Sequence, residues 1–119
     1  MLAILTGATG GLGNSFVYEC ARRGYDLIIS ATNQERLEKL KSEVIKQFPN
    51  IKIWAKECKL NDNHSREEFY EFIKSNNLKP NMLINNAGYI LEGSIMGCDH
   101  SEIQSCIDVN ITGTTELTY

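Results

Sequence analysis

Four times along this chain a short apolar run gives way to a stretch with helical spacing, and that alternation leaves few folds open. Residues 2–5 form an apolar run ended by Thr6 and Gly7, as suits a strand buried on both faces. Leu12, Phe16, Val17, Cys20 and Ala21 then recur with the spacing of one helix face. Residues 27–29 predict a second strand. Leu37, Leu40, Val44, Ile45 and Phe48 line a second helix, with Thr32 and Glu35 spaced as its capping box and Pro49 at its end. Ile51, Ile53 and Ala55 mark a third strand, and Phe69, Phe72 and Ile73 a third helix opened by Ser65 and Glu68. Residues 82–84 are a fourth apolar run. Asp99 and Glu102 open a fourth helix, whose buried face is expected to carry Ile103, Cys106, Ile107, Asn110 and Ile111. Strand-then-helix repeated in this way predicts an α/β protein, a doubly wound parallel sheet with right-handed crossovers in the order 3-2-1-4.

Length and charge narrow the partners. The 119 residues amount to one domain, and 42% hydrophobic with 23% charged residues is ordinary globular composition. A net charge of −3 gives no reason to expect nucleic acid or an anionic membrane surface as a partner. No apolar stretch reaches membrane-span length and no basic flank marks a signal peptide, so the cytoplasm is the expected location. Cys20, Cys58, Cys98 and Cys106 form no CxxC pair. They read as small buried hydrophobes. Cys98, His100 and Cys106 lack a fourth ligand at zinc-like spacing, and no metal is expected.

The segment Thr6-Gly7-Ala8-Thr9-Gly10-Gly11-Leu12-Gly13 lies between the first strand and the first helix. Glycines there let the backbone turn tightly and approach a pyrophosphate, while free N–H groups and the helix dipole favour the anion. Each charge-assisted hydrogen bond is worth about 1.5–3 kcal/mol, so a few N–H groups suffice. Phe16 stands where the third glycine of GxGxxG would be, and no Gly-Lys-Ser/Thr follows to make a Walker loop.

This loop resembles the TGxxxGxG signature of the short-chain dehydrogenase/reductase family, although its letters also satisfy the TGxxGxxG of the family's extended branch. Asn85-Asn86-Ala87-Gly88 after the fourth apolar run is similar to the NNAG of the classical branch, and Val109-Asn110-Ile111-Thr112-Gly113 to its VNxxG. The resemblance implies a Rossmann-like fold that binds NAD or NADP and transfers hydride between the nicotinamide and a carbonyl or alcohol substrate. It assigns Thr6, Gly7, Gly11 and Gly13 to the pyrophosphate loop, with Leu12 presenting a backbone N–H. It places Asn86, Ala87 and Gly88 along the adenosine ribose, with Asn86 also tying neighbouring strands. Asn110 would be the catalytic asparagine that kinks its helix and holds a water.

Cofactor choice turns on the end of the second strand, which reads Ser30-Ala31-Thr32-Asn33. No carboxylate is there to hold a ribose 2′-hydroxyl or repel a 2′-phosphate. No arginine is there either. Ser30, Thr32 and Asn33 could donate to a phosphate, so the balance leans to NADP, with NAD the alternative. Lys59 stands where the family often has an aspartate at the adenine, leaving that contact to the backbone near Leu60.

The family's serine and YxxxK acid/base pair come well after the asparagine-bearing helix, and the sequence stops at Tyr119. Tyr70 and Lys74 do read YxxxK, but they precede NNAG and fall on the third helix. The expectation is therefore a truncated domain, residues 1–119 carrying the dinucleotide-binding half of an oxidoreductase and inactive alone. The alternative is a non-catalytic nucleotide-binding or partner-assembly module. An open edge on strand four, together with the interface role of the asparagine-bearing helix in the family, predicts a homo-oligomer.

Overall fold

A computed structural model describes residues 1–119. The elements run β1 (Leu2–Thr6), α1 (Gly11–Arg22), β2 (Asp26–Ser30), α2 (Gln34–Gln47), β3 (Ile53–Ala55), α3 (Asn63–Ser75) and β4 (Met82–Ile84). A loop with one 3-10 turn (Ile95–Gly97) follows, then α4 (His100–Ile107), a π-helical turn (Asp108–Gly113) and α5 (Thr114–Thr118). The strands form one parallel sheet in the order β3-β2-β1-β4, the topology that the repeat pattern predicts. No helix is long and apolar enough to cross a membrane.

Strand alternation divides the core in two. Ala3, Leu5, Leu27, Ile29, Ile53 and Ala55 point to the face covered by α1 and α2. Ile4 and Ile28 point the other way, onto Phe69 of α3, Leu117 of α5, Cys58 and Leu60. Both faces of β1 and β2 are thus buried, which is why those strands read as continuous apolar runs. Phe69 is fully buried, worth about 1.5–3 kcal/mol relative to exposure.

Each of the first three helices differs from the expectation in its start or its buried face. The α2 cap is Asn33, whose Oδ1 accepts from Arg36 N at 3.0 Å, rather than Thr32. The α3 cap is Asp62, accepting from His64 N at 3.3 Å; Ser65 instead accepts from Lys59 N with its hydroxyl, and Glu68 pairs with His64. On α1 the stripe facing the sheet is Gly13, Val17, Cys20 and Ala21, with Leu12 67% and Phe16 37% exposed. Gly13 carries no side chain to register as apolar, so the stripe is displaced by one residue from the one that the large side chains suggest.

The capping box of Asp99 and Glu102 opens α4 as expected. The buried face expected beyond it does not form: Ile107 and Ile111 are exposed, and so is Asn110. A uniform 3.6-residue period fails there because the π-helical turn inserts extra backbone per turn, and Gly113 and Leu117 face inward instead. The molecule measures 51 × 27 × 22 Å, with α4 contributing no buried residue.

Candidate functional site

A cavity of about 510 Å³ crosses the carboxyl ends of all four strands. Its walls come from the glycine loop after β1, Ser30, Ala31 and Thr32 after β2, Cys58, Leu60 and Asn61 after β3, and Asn86 to Ile90 after β4, with Val109 behind. A crevice in this place is where open parallel sheets bind ligands, because connections leave the sheet on opposite faces there. No charged side chain is among the lining residues.

The glycine loop is held by the strand ends beside it. Thr6, 2% exposed, accepts from Asn86 N at 3.1 Å and from Ala87 N at 3.0 Å with its hydroxyl oxygen. Asn86 Nδ2 returns two bonds, to Thr6 O at 3.2 Å and Gly7 O at 3.1 Å, so Asn86 ties β4 to β1 as its motif implies. Ala8 N donates to Ser30 O at 3.0 Å, which fixes the loop to β2 as well.

Two glycines are required by this packing. Gly7 has φ +67°, a conformation side chains disfavour, and a Cβ on it would lie 2.9 Å from Ala87 Cα. A Cβ on Gly13 would strike the Gly7 carbonyl and lie 2.7 Å from Asn86 Nδ2. Gly11 is different, for nothing lies within 4 Å of the position its Cβ would take. Protein packing does not explain the glycine there.

The N–H groups of Gly11, Leu12 and Gly13 open α1 and donate to no other group of the chain. Gly10, the N-cap, supplies no side-chain acceptor. Three orphan donors at the positive end of a helix, facing a cavity, are suited to an anion.

The opposite wall depends on Asn110. Its Oδ1 accepts from Tyr89 N at 2.8 Å, and its Nδ2 donates to Tyr89 O and, at 3.4 Å, to Cys106 Sγ. Cys106 Sγ in turn donates to Tyr89 O at 3.4 Å. The asparagine lies in the π-helical turn, and its amide is occupied by the loop that follows NNAG. Among the other expected site residues, Gly88, Ser30, Thr32 and Leu60 line the cavity, whereas Asn33 does not: its side chain caps α2. Leu60 O accepts from Arg66 Nη1.

Several lining residues escaped the sequence reading, namely Thr9, Ala31, Cys58, Asn61 and Val109. Cys58 is buried, and burial pushes its thiol pKa up. Tyr70, the tyrosine of the out-of-place YxxxK, donates its hydroxyl to Glu116 O at 2.7 Å and is not among the cavity residues.

Known proteins share this arrangement. The chain is 29% identical over 120 residues to a very-long-chain 3-oxoacyl-CoA reductase of Neurospora crassa, with 98% of this chain and 36% of that protein aligned. Among solved structures, the bulky-bulky ketone specific alcohol dehydrogenase from Comamonas testosteroni superposes with a TM-score of 0.88 at 26% identity, covering 98% of this chain and 46% of that one. A short-chain dehydrogenase from Sphingobium yanoikuyae in complex with NADPH gives a TM-score of 0.89 at 26% identity, covering 98% and 45%. The chain therefore spans about a third of the length of that curated relative and under half of each structure. The family described as short chain dehydrogenase matches residues 1–119 from end to end. With the glycine loop, NNAG and VNxxG converging on one cavity, this chain belongs to the classical short-chain dehydrogenase family.

Proposed function

We propose that the cavity binds a nicotinamide dinucleotide and that residues 1–119 are the dinucleotide-binding domain of an oxidoreductase acting on a carbonyl or alcohol. The observation carrying this is the row of unpaired N–H groups at Gly11, Leu12 and Gly13, with open space before Gly11. Those amides would hold the pyrophosphate. The walls after β2 and β3 would enclose the adenosine, and Gly88, Tyr89 and Ile90 would border the nicotinamide ribose. Bound there, the nicotinamide would supply or accept the hydride. Asn110 acts in this reading by positioning the Tyr89 backbone through its side chain.

NADP is the favoured form. No carboxylate lines the cavity to repel a 2′-phosphate, and Thr32 stands exposed at the end of β2 with no partner for its hydroxyl. The NADPH held by the Sphingobium enzyme supports the same preference. Calorimetric titration with NADPH and NADH separately tests both claims. Saturable binding with NADPH the tighter is expected, and absence of binding by either would remove the proposal. Self-association is supported by the exposed Ile107 and Ile111 and by the free edge of β4. A light-scattering mass twice that of one chain or more is the expected result.

A further inference from the structure

Tyr89 lines the cavity together with Gly88 and Ile90. Its carbonyl oxygen accepts twice, from Asn110 Nδ2 and from Cys106 Sγ at 3.4 Å. Asn110 Nδ2 has a second hydrogen, and Cys106 Sγ accepts it at 3.4 Å. Carbonyl, amide and thiol thus form a closed set of three in which each group meets the other two. Both lone pairs of the Tyr89 carbonyl are engaged by it.

Packing alone does not call for a thiol at this position. Cys106 also lines a second cavity, of about 280 Å³, with Leu91, Ile95, Ile103 and Ile107. In those apolar surroundings valine would pack as well, so only the contacts with Tyr89 and Asn110 use the polarity of the sulfur. Cys98, the other thiol of that cavity, donates to Ser94 O at 3.5 Å and bonds to neither Tyr89 nor Asn110. Position along the chain adds a second reason. α4 ends at Ile107 and the π-helical turn starts at Asp108, so the bond between Cys106 and Asn110 crosses that junction. It ties the Asn110 amide to α4 at the point where the regular backbone ladder is interrupted.

We propose that Cys106 is a positioning residue for the nucleotide cavity, an inference that rests on the dinucleotide reading above and adds a residue to it. Cys106 is not among the residues that line that cavity, and it acts through Asn110 and Tyr89. Its thiol keeps the Asn110 amide turned to Tyr89 and the loop after β4 closed on the π-helical turn. Without the thiol, one hydrogen of Asn110 Nδ2 and one lone pair of the Tyr89 carbonyl lose their partner. Asn110 is exposed, so its amide is then free to turn towards water. The wall has to be ordered when the dinucleotide arrives, and that cost weakens binding.

Cys106→Val fills similar space without donor or acceptor, and Cys106→Ser restores both on a hydroxyl. Titration with NADPH should show an affinity about threefold to fivefold weaker for Cys106→Val. Cys106→Ser should lie within about twofold of wild type. The thermal midpoint of Cys106→Val should equal or exceed that of wild type, because the second cavity is apolar; a role in folding alone would lower it. Amide hydrogen exchange reads the wall without any ligand. The Tyr89 N–H, which donates to Asn110 Oδ1, should exchange about threefold to fivefold faster in Cys106→Val, with the strand amides unchanged. Cys98→Val, a change in the same cavity, should alter neither affinity nor Tyr89 exchange. Wild-type affinity in Cys106→Val, or a loss that Cys106→Ser does not recover, overturns this inference alone. Wild type that binds no NADPH overturns the dinucleotide reading itself, and this inference with it.

Discussion

Asn110 grips Tyr89 at both ends of one residue, accepting from its backbone N–H at 2.8 Å and donating to its carbonyl. The two residues are 21 positions apart, one on a π-helical turn and the other at the head of the loop after β4. Since Gly88, Tyr89 and Ile90 all line the cavity, the grip sets the position of one entire wall. Replacing Asn110 by alanine removes both bonds and leaves the Tyr89 N–H and C=O without these partners. NADPH affinity should fall about tenfold, on the basis of roughly 0.5–1.5 kcal/mol per lost hydrogen bond. Asn110→Asp should bind more weakly still at neutral pH, because it sets a carboxylate oxygen against the Tyr89 carbonyl. Calorimetric titration of the two variants checks the order; equal affinities would show that the wall is held by other means.

The glycines of the loop divide by what each one faces. Gly11 has empty space where a side chain would go, and Gly13 has the Gly7 carbonyl and Asn86. Gly11→Ala should therefore leave the thermal midpoint unchanged or slightly raised, as expected of Gly-to-Ala at a helix start, while weakening NADPH binding. Gly13→Ala should destabilise the fold itself by about 1–3 kcal/mol through overpacking, visible in urea unfolding without any ligand. A Gly11→Ala variant with wild-type affinity would place the anion elsewhere.

Thr32, two residues past the end of β2, is exposed at the cavity beside the wall after β3. Thr32→Asp should shift preference from NADPH towards NADH by tenfold or more, since a carboxylate repels the 2′-phosphate and accepts from a 2′-hydroxyl. Thr32→Arg should tighten NADPH by about tenfold through a charge-assisted contact and leave NADH nearly unchanged. The ratio of the two dissociation constants reads both variants. A ratio that ignores both charges would mean that the ribose does not lie at this strand end.

The sheet was legible in the sequence because β1 and β2 are buried on both faces and so show as unbroken apolar runs, with Thr6 and Gly7 marking the turn to the cavity. Helix starts were less legible. Thr32, Asn33, Asp62 and Ser65 are all capping types, and spacing alone could not say that Asn33 and Asp62 hold the position. The π-helical turn left no periodic signature, so the inward turn of Leu117 and the exposure of Ile107 and Ile111 were beyond reach of a helical extrapolation. At the site, motif residues were found by their letters. Asn61 was missed because it belongs to none of the motifs, and only the folded arrangement brings it to the cavity.

Glu19 anchors the end of α1 by pairing with both Arg22 and Arg23. Hydrogen bonds from Arg22 and then Arg23 lower its pKa from 4.5 to about 2. A depressed folded pKa means that the unfolded chain takes up a proton first on acidification. The contribution is therefore complete above pH 4.5 and is lost as pH falls towards about 2. The pair is solvent-exposed, so the effect is small. Urea midpoints of wild type and Glu19→Gln should differ at pH 6 and converge by about pH 2; a constant difference across that range would show that the carboxylate's charge is not its source.

Tyr70 and Lys74 carry the spacing of an acid/base pair without its environment. A tyrosine acting as acid or base works with its pKa brought down towards the operating pH, whereas burial raises that of Tyr70 above its usual 10.0. Its hydroxyl joins α3 to α5 through Glu116 O. Tyr70→Phe should leave NADPH affinity unchanged and cost about 0.5–1.5 kcal/mol of stability in urea unfolding. A raised folded pKa has the opposite sign from that of Glu19. Its contribution is complete below pH 10.0 and falls as pH rises through the folded value, so the loss in Tyr70→Phe should shrink in strong alkali. A variant that keeps full stability but loses nucleotide binding would return this pair to the functional site.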